Sequence, residues 1–146
     1  MTITAAMVKE LRERTGLGMM DCKKALVEAG GDMDLAIEEL RKKSVLKAAK
    51  KSGRITANGL LGLKTSEDFS RAAIVEINIE TDFAAKNEKF ISFVSKVADA
   101  VYNSEEDLAT LMESGLDEER EGLVQEIGEN ISVRRAERLS APVGGC

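Results

Sequence analysis

The chain of 146 residues contains no histidine and no tryptophan, one tyrosine, one proline (Pro142) and two cysteines, Cys22 and Cys146. Without histidine, Ser-His-Asp and Cys-His nucleophile systems are excluded, as are the usual His-containing zinc and haem sites. No metal and no cofactor is expected, and only catalysis by carboxylates or lysine survives. The cysteines lie far apart, one in an expected helix and one at the last residue, which is not a secreted disulfide framework and predicts a reducing, cytoplasmic setting. No apolar run approaches the roughly 18 residues that span a bilayer, and Met1-Thr2-Ile3-Thr4-Ala5 has no basic segment leading into an apolar one. Neither a membrane nor an export signal is expected.

What is present is an ordinary globular composition, 43% hydrophobic and 32% charged, in a length that suits one domain or two small ones. The charge is unevenly shared. Residues 1–54 carry 12 Lys and Arg against 8 Asp and Glu, a net of +4, whereas residues 55–146 carry 9 against 18, a net of -9. This change coincides with Ser52-Gly53 and with a switch of hydrophobic period, which predicts two modules, 1–54 and 55–146. The basic excess gathers in Arg41-Lys42-Lys43, Lys47, Lys50, Lys51 and Arg54. Such a run fits a nucleic-acid patch or, with no aromatic interleaved for base stacking, simply a solvated helix face.

The first module reads as three helices. Thr4 caps one with Met7, Val8 and Leu11 on its apolar face, ended by Gly16 and Gly18. Met19, Cys22, Ala25, Leu26 and Ala29 repeat the spacing as far as Gly30-Gly31. Asp32 or Asp34 caps a third helix with Met33, Ile37 and Leu40 inward, continuing through Ala48-Ala49. The second module changes period: Ala73, Val75, Ile77 and Ile79 alternate as in a half-buried strand, and Leu61 and Leu63 alternate upstream, so a β-hairpin is expected with Thr65 to Ser70 as its connection. Phe90, Phe93, Val94, Val97, Ala98 and Val101 then mark an amphipathic helix, capped by Asn87, that covers the hairpin. A capping box at Ser104 to Asp107 opens a short helix with Leu108 and Leu111, and Asp117 opens another that ends at Gly128. Ile131 to Arg135 alternates as a returning strand, with a helix the alternative because Arg134 to Leu139 lacks strong β-formers. The fold class is α+β.

Two segments depart from what packing alone asks for. In Leu11 to Lys24, adjacent Met19 and Met20 point about 100° apart on a helix, so at least one thioether is exposed beside Arg12 and Lys23, which suits a partner surface with an apolar centre and a charged rim. The turn Thr15-Gly16-Leu17-Gly18 is not a phosphate loop, because no strand precedes it and the full glycine pattern is absent. In Glu80-Thr81-Asp82-Phe83-Ala84-Ala85-Lys86-Asn87, an acid and an aromatic stand together where the best strand gives way to the best helix. Either they protrude as a carboxylate and a wedge, or Phe83 continues the face of Ile79 into the core while Asp82 caps the next turn. An enzyme working through Glu76, Glu80 and Asp82 ranks last, since no base and orienter are paired.

Leu11-Arg12-x-x-Thr15-Gly16-x-Gly18-Met19-Met20-Asp21-Cys22-Lys23-Lys24-Ala25-Leu26 and Glu76-Ile77-Asn78-Ile79-Glu80-Thr81-Asp82-Phe83-Ala84-Ala85-Lys86 together resemble the two signatures of bacterial elongation factor Ts. Ile127-Gly128-Glu129-Asn130-Ile131 with Val133-Arg134-Arg135 is a third, softer similarity. The resemblance implies a guanine-nucleotide exchange factor for elongation factor Tu, in its GDP-bound and nucleotide-free states, and not an enzyme. It implies a ubiquitin-associated-like three-helix domain over 1–54 and the first part of an α+β core over 55–146. It places Mg²⁺ dislocation from the partner on Thr81, Asp82, Phe83 and Ala84, where the family usually has valine at position 84. Contact with the GTPase falls on Arg12, Met19, Met20 and Lys23, without direct nucleic-acid binding. Long members of the family carry a second core subdomain, so the chain corresponds to a truncated form, or to a homodimer in which a second copy replaces the missing half. The alternative function is a ubiquitin-associated-like binding module without exchange activity.

Overall fold

The computed structural model describes residues 2–146. Three helices open the chain: α1 (Ala5–Thr15), α2 (Met19–Glu28) and α3 (Met33–Lys51). Each start has a local cause. Thr4 Oγ1 accepts from the Met7 amide at 3.2 Å, and Asp32 Oδ1 accepts from Leu35 at 3.1 Å, so each cap satisfies an amide that has no partner within its helix. Helix α1 stops at Gly16, whose φ of 73° is the left-handed conformation that glycine adopts without strain. Val8, Leu11, Leu17, Cys22, Ala25, Leu26, Ala36 and Leu40 close on one another as a first buried cluster.

The remaining elements are β1 (Asn58–Thr65), β2 (Arg71–Ile79), the single turn α4 (Asp82–Ala85), α5 (Glu88–Tyr102), α6 (Leu108–Leu111), α7 (Asp117–Ile127) and β3 (Ile131–Ser140). They make an α+β fold. The sheet runs β1-β2-β3, antiparallel throughout, with β2 in the centre. Register is Asn58 on Ile79 in the first pair and Ile131 on Ile79 in the second. Helix α5, capped by Asn87 Oδ1 on the amides of Lys89 and Phe90, lays Phe90, Phe93, Val94, Val97, Ala98 and Val101 over one sheet face. With Val75, Ile77, Ile79, Val124 and Ile131 these build the second buried cluster. Segment 131–140 is thus a strand, its weak local β-preference outweighed by nine residue pairs with β2.

Three details differ from the sequence-based expectations. The short helix α6 is capped by Asp107, which accepts from Thr110 at 2.8 Å, whereas Ser104 caps only the turn before it. In α2, Met19 leaves the core spacing and is 58% exposed, because α2 begins there and no turn precedes it to be packed against. In β1 the alternation is real but its buried side is reversed. Leu61 and Leu63 are exposed on the open face, and Gly62 lies under α5. A Cβ at position 62 meets Val94 Cγ1 at 2.8 Å and Val75 Cγ2 at 2.9 Å, so glycine is what lets helix and strand approach there. Gly62→Ala is therefore expected to destabilise the protein by about 1–3 kcal/mol through overpacking, seen as a lower urea midpoint at unchanged slope; an unchanged midpoint contradicts the close approach.

Helix α3 joins the two clusters. Its Ala36 and Leu40 belong to the first and its Ala48 to the second, with small Ser44 between them against α7. Part of the charge division of the sequence is matched at this junction. Arg41 pairs with Glu118 at 3.1 Å, Lys51 Nζ donates to the Gly128 carbonyl at 2.7 Å, and Arg54 pairs with Glu80 at 2.7 Å. Lys43 turns back to Glu28 within the first module, at 3.4 Å. Several of the clustered cations thus have protein partners, and the basic run reads as complementary to the acidic second module rather than as a free stripe.

Candidate functional site

The residues singled out in the first module converge. Arg12, Met19, Met20 and Lys23 line one apolar groove of about 380 Å³, whose wall includes Ile3 and Val8 from α1 and its approach. The geometry follows from the Gly16-Leu17-Gly18 turn. Leu17 is buried and anchors the turn, Thr15 Oγ1 donates to the Leu11 carbonyl at 2.8 Å, and the chain reverses so that the start of α2 stands beside α1. Met20 is 76% exposed, so both thioethers face outward, more than the single one that helix geometry required. Flexible, polarizable side chains thus stand between an Arg and a Lys on one exposed groove.

The second segment resolves in favour of protrusion. Strand β2 ends at Ile79, and the chain turns at Thr81 instead of continuing. Thr81, not Asp82, is the cap: its Oγ1 accepts from the Ala84 amide at 3.1 Å. This sets Asp82 and Phe83 on the outer side of a one-turn helix and Ala84 and Ala85 on the inner side, buried against the second cluster. Phe83 is 86% exposed, the most exposed of the large hydrophobic side chains among the described residues. The ring stands in water next to a carboxylate and adds nothing to this chain's own core. The alanine at position 84 fits the buried inner side, and its small volume does not bear on the exposed ring.

Around this corner lies a polar frame in which Glu129 and Asn130, to which the sequence gives no role, hold Thr81 and Glu80. Glu129 accepts from both the Thr81 amide, at 3.0 Å, and the Thr81 hydroxyl, at 2.9 Å. Glu80 pairs with Arg54 and accepts from the Asn130 amide at 2.7 Å. Buried Asn130 donates its side-chain amide to the Arg54 carbonyl at 3.0 Å. The available signal was the run Gly128-Glu129-Asn130, where a left-handed glycine ends α7 and two polar residues follow before an apolar strand. Their partners are some 50 residues away in sequence, at Glu80 and Thr81, which no local pattern reveals.

Of the carboxylates near this strand end, Glu76 and Glu80 are engaged in ion pairs. Glu76 faces Arg135 at 2.8 Å and Arg134 at 3.4 Å, which a register shift in β3 brings to the same acid. The Arg135 hydrogen bond holds the Glu76 carboxyl below the usual carboxylate range, so it is no proton donor near neutral pH. Glu80 is committed to Arg54 and Asn130. No helix among the described residues is long and apolar enough to cross a membrane.

The chain is similar to known proteins along its length. The family model described as Elongation factor TS matches residues 80–145. Elongation factor Ts of Hahella chejuensis is 60% identical over 144 residues, covering 98% of this chain and 50% of that protein. The protein of the same name from Marinobacter nauticus is 58% identical, with the same coverage of each, and that of Arthrospira platensis is 52% identical, covering 95% of this chain and 59% of its own. The chain spans about half the length of the curated relatives it matches.

Proposed function

We propose, from the chain's membership of the elongation factor Ts family, that it is a guanine-nucleotide exchange factor acting in the cytoplasm on elongation factor Tu, speeding GDP release without making or breaking a covalent bond. The observation that carries this reading is Phe83, almost wholly in water beside Asp82 on the outer side of a one-turn helix whose inner side is seated on the core. An exchange factor lowers nucleotide affinity only by binding the nucleotide-free GTPase better than the loaded one, and the coupling is reciprocal, so incoming nucleotide expels the factor. In this reading Phe83 enters an apolar crevice between helices of the GTPase and deforms its nucleotide pocket. Asp82 brings a negative charge towards the Mg²⁺ environment and unsettles the ion. Thr81 caps the turn and Ala84 seats it on the core.

The groove of Arg12, Met19, Met20 and Lys23 supplies a second grip. Residues 1–54 then act as a tether that raises the effective concentration of residues 55–146 at the nucleotide site without touching nucleotide. A ubiquitin-associated-like binding module without exchange activity is the second reading. The groove favours it, but it leaves the exposed Asp82-Phe83 pair without a purpose. Release of a fluorescent GDP analogue from preloaded elongation factor Tu separates the two: acceleration that saturates with added chain is expected, and saturable binding without acceleration leaves only the binding module.

A further inference from the structure

Phe83 has no packing of its own to aim it, and α4 is a single turn, far below the length at which a helix persists unaided. The direction of the ring is set by whatever holds the backbone of residues 81–85. One hold is the burial of Ala84 and Ala85. The other is Glu129. A hydroxyl that donates to a carboxylate has its rotor fixed with an oxygen lone pair left for the Ala84 amide, so the Glu129 contact orients Thr81 as the cap of α4. The same carboxylate takes up the Thr81 amide, and both bonds are charge-assisted. Glu129 is itself placed by Gly128, whose carbonyl accepts from Lys51 at 2.7 Å, and by Asn130, whose amide is bound to Glu80. Consecutive residues of the α7–β3 connection thus grip consecutive residues of the β2–α4 corner.

We propose that Glu129 is a positioning residue for nucleotide exchange: its carboxylate, holding the amide and hydroxyl of Thr81, pre-sets the one-turn helix that presents Asp82 and Phe83 to the GTPase. The proposal rests on the exchange reading above. A wedge already in its docking orientation loses less conformational freedom on binding, and without the grip α4 opens and the ring samples directions that do not fit. Glu129→Gln keeps one acceptor oxygen and retains part of the effect, whereas Glu129→Ala keeps none. Because Thr81 and Glu129 act as one unit, Thr81→Ala adds little on the Glu129→Ala background.

The test uses the whole chain and two readouts, amide hydrogen exchange of the free protein and GDP release from elongation factor Tu. In Glu129→Ala the Ala84 amide is expected to lose about tenfold of its protection while the β2 amides keep their far higher protection and the thermal midpoint falls by no more than a few degrees, and GDP release at saturating chain is expected to slow about tenfold, with partial recovery in Glu129→Gln. Parent-like Ala84 protection, or parent-like GDP release from Glu129→Ala alongside a defective Phe83→Ala, overturns the positioning role alone. Equal GDP release by parent and Phe83→Ala overturns the exchange reading itself.

Discussion

Phe83→Ala is expected to slow stimulated GDP release from elongation factor Tu by about a hundredfold while leaving the unfolding midpoint of the free chain unchanged. The two halves of this expectation have one cause. The ring is 86% exposed, so its removal takes almost no buried surface from the folded state, and exposed substitutions of this kind stay within about 0.5 kcal/mol. In the proposed complex the same ring is buried, and a phenylalanine side chain moved from water into an apolar crevice contributes about 1.5–3 kcal/mol. If that energy is realised only when the pocket is deformed, the loss falls on the release rate at saturation and not on binding alone, and about 2.7 kcal/mol corresponds to the stated hundredfold. Stopped-flow release of a fluorescent GDP analogue, with thermal unfolding of the same preparation, checks both halves. A large fall in the unfolding midpoint places the ring in the core and contradicts the wedge.

The double substitution Met19→Gln, Met20→Gln is expected to act on the other quantity. Both thioethers are already in water, at 58% and 76% exposure, so the free chain again loses little stability. Replacing the apolar floor of the Arg12–Lys23 groove removes about 1 kcal/mol of burial per side chain in the complex, which raises the chain concentration needed for half-maximal release by about thirtyfold. The maximal rate is expected to stay within about twofold, because the groove contributes proximity and not pocket deformation. A titration of release rate against chain concentration separates the two terms. A lowered plateau with an unchanged midpoint assigns the methionines to the release step and contradicts the tether.

Much of the fold was legible because its causes are local. Thr4, Asp32 and Asn87 cap helices within a few residues of themselves, Gly16 and Gly128 stop them, and the period of residues 73–79 belongs to a strand wherever that strand is packed. The side of β1 that is buried was not legible. Period 2 defines two faces without saying which one meets a helix, and at Gly62 the absence of a side chain, not the presence of leucine, admits α5. The fate of Phe83 was open for the same reason. It turns on whether β2 continues past Ile79; β2 stops there, where its ladders with β1 and β3 both end, and Glu129, 48 positions further along, takes the Thr81 amide. The groove was half legible, since adjacent methionines guarantee one exposed thioether, but the exposure of both depends on α2 beginning at Met19.

The central claim is differential binding, and titration of the chain into nucleotide-free and into GDP-loaded elongation factor Tu measures it without reference to rates. Tighter binding to the nucleotide-free protein is expected, by the same factor by which bound chain weakens GDP affinity, as reciprocal linkage requires. Equal affinity for the two forms means that the chain has no means of moving the nucleotide equilibrium, and contradicts its assignment as an exchange factor.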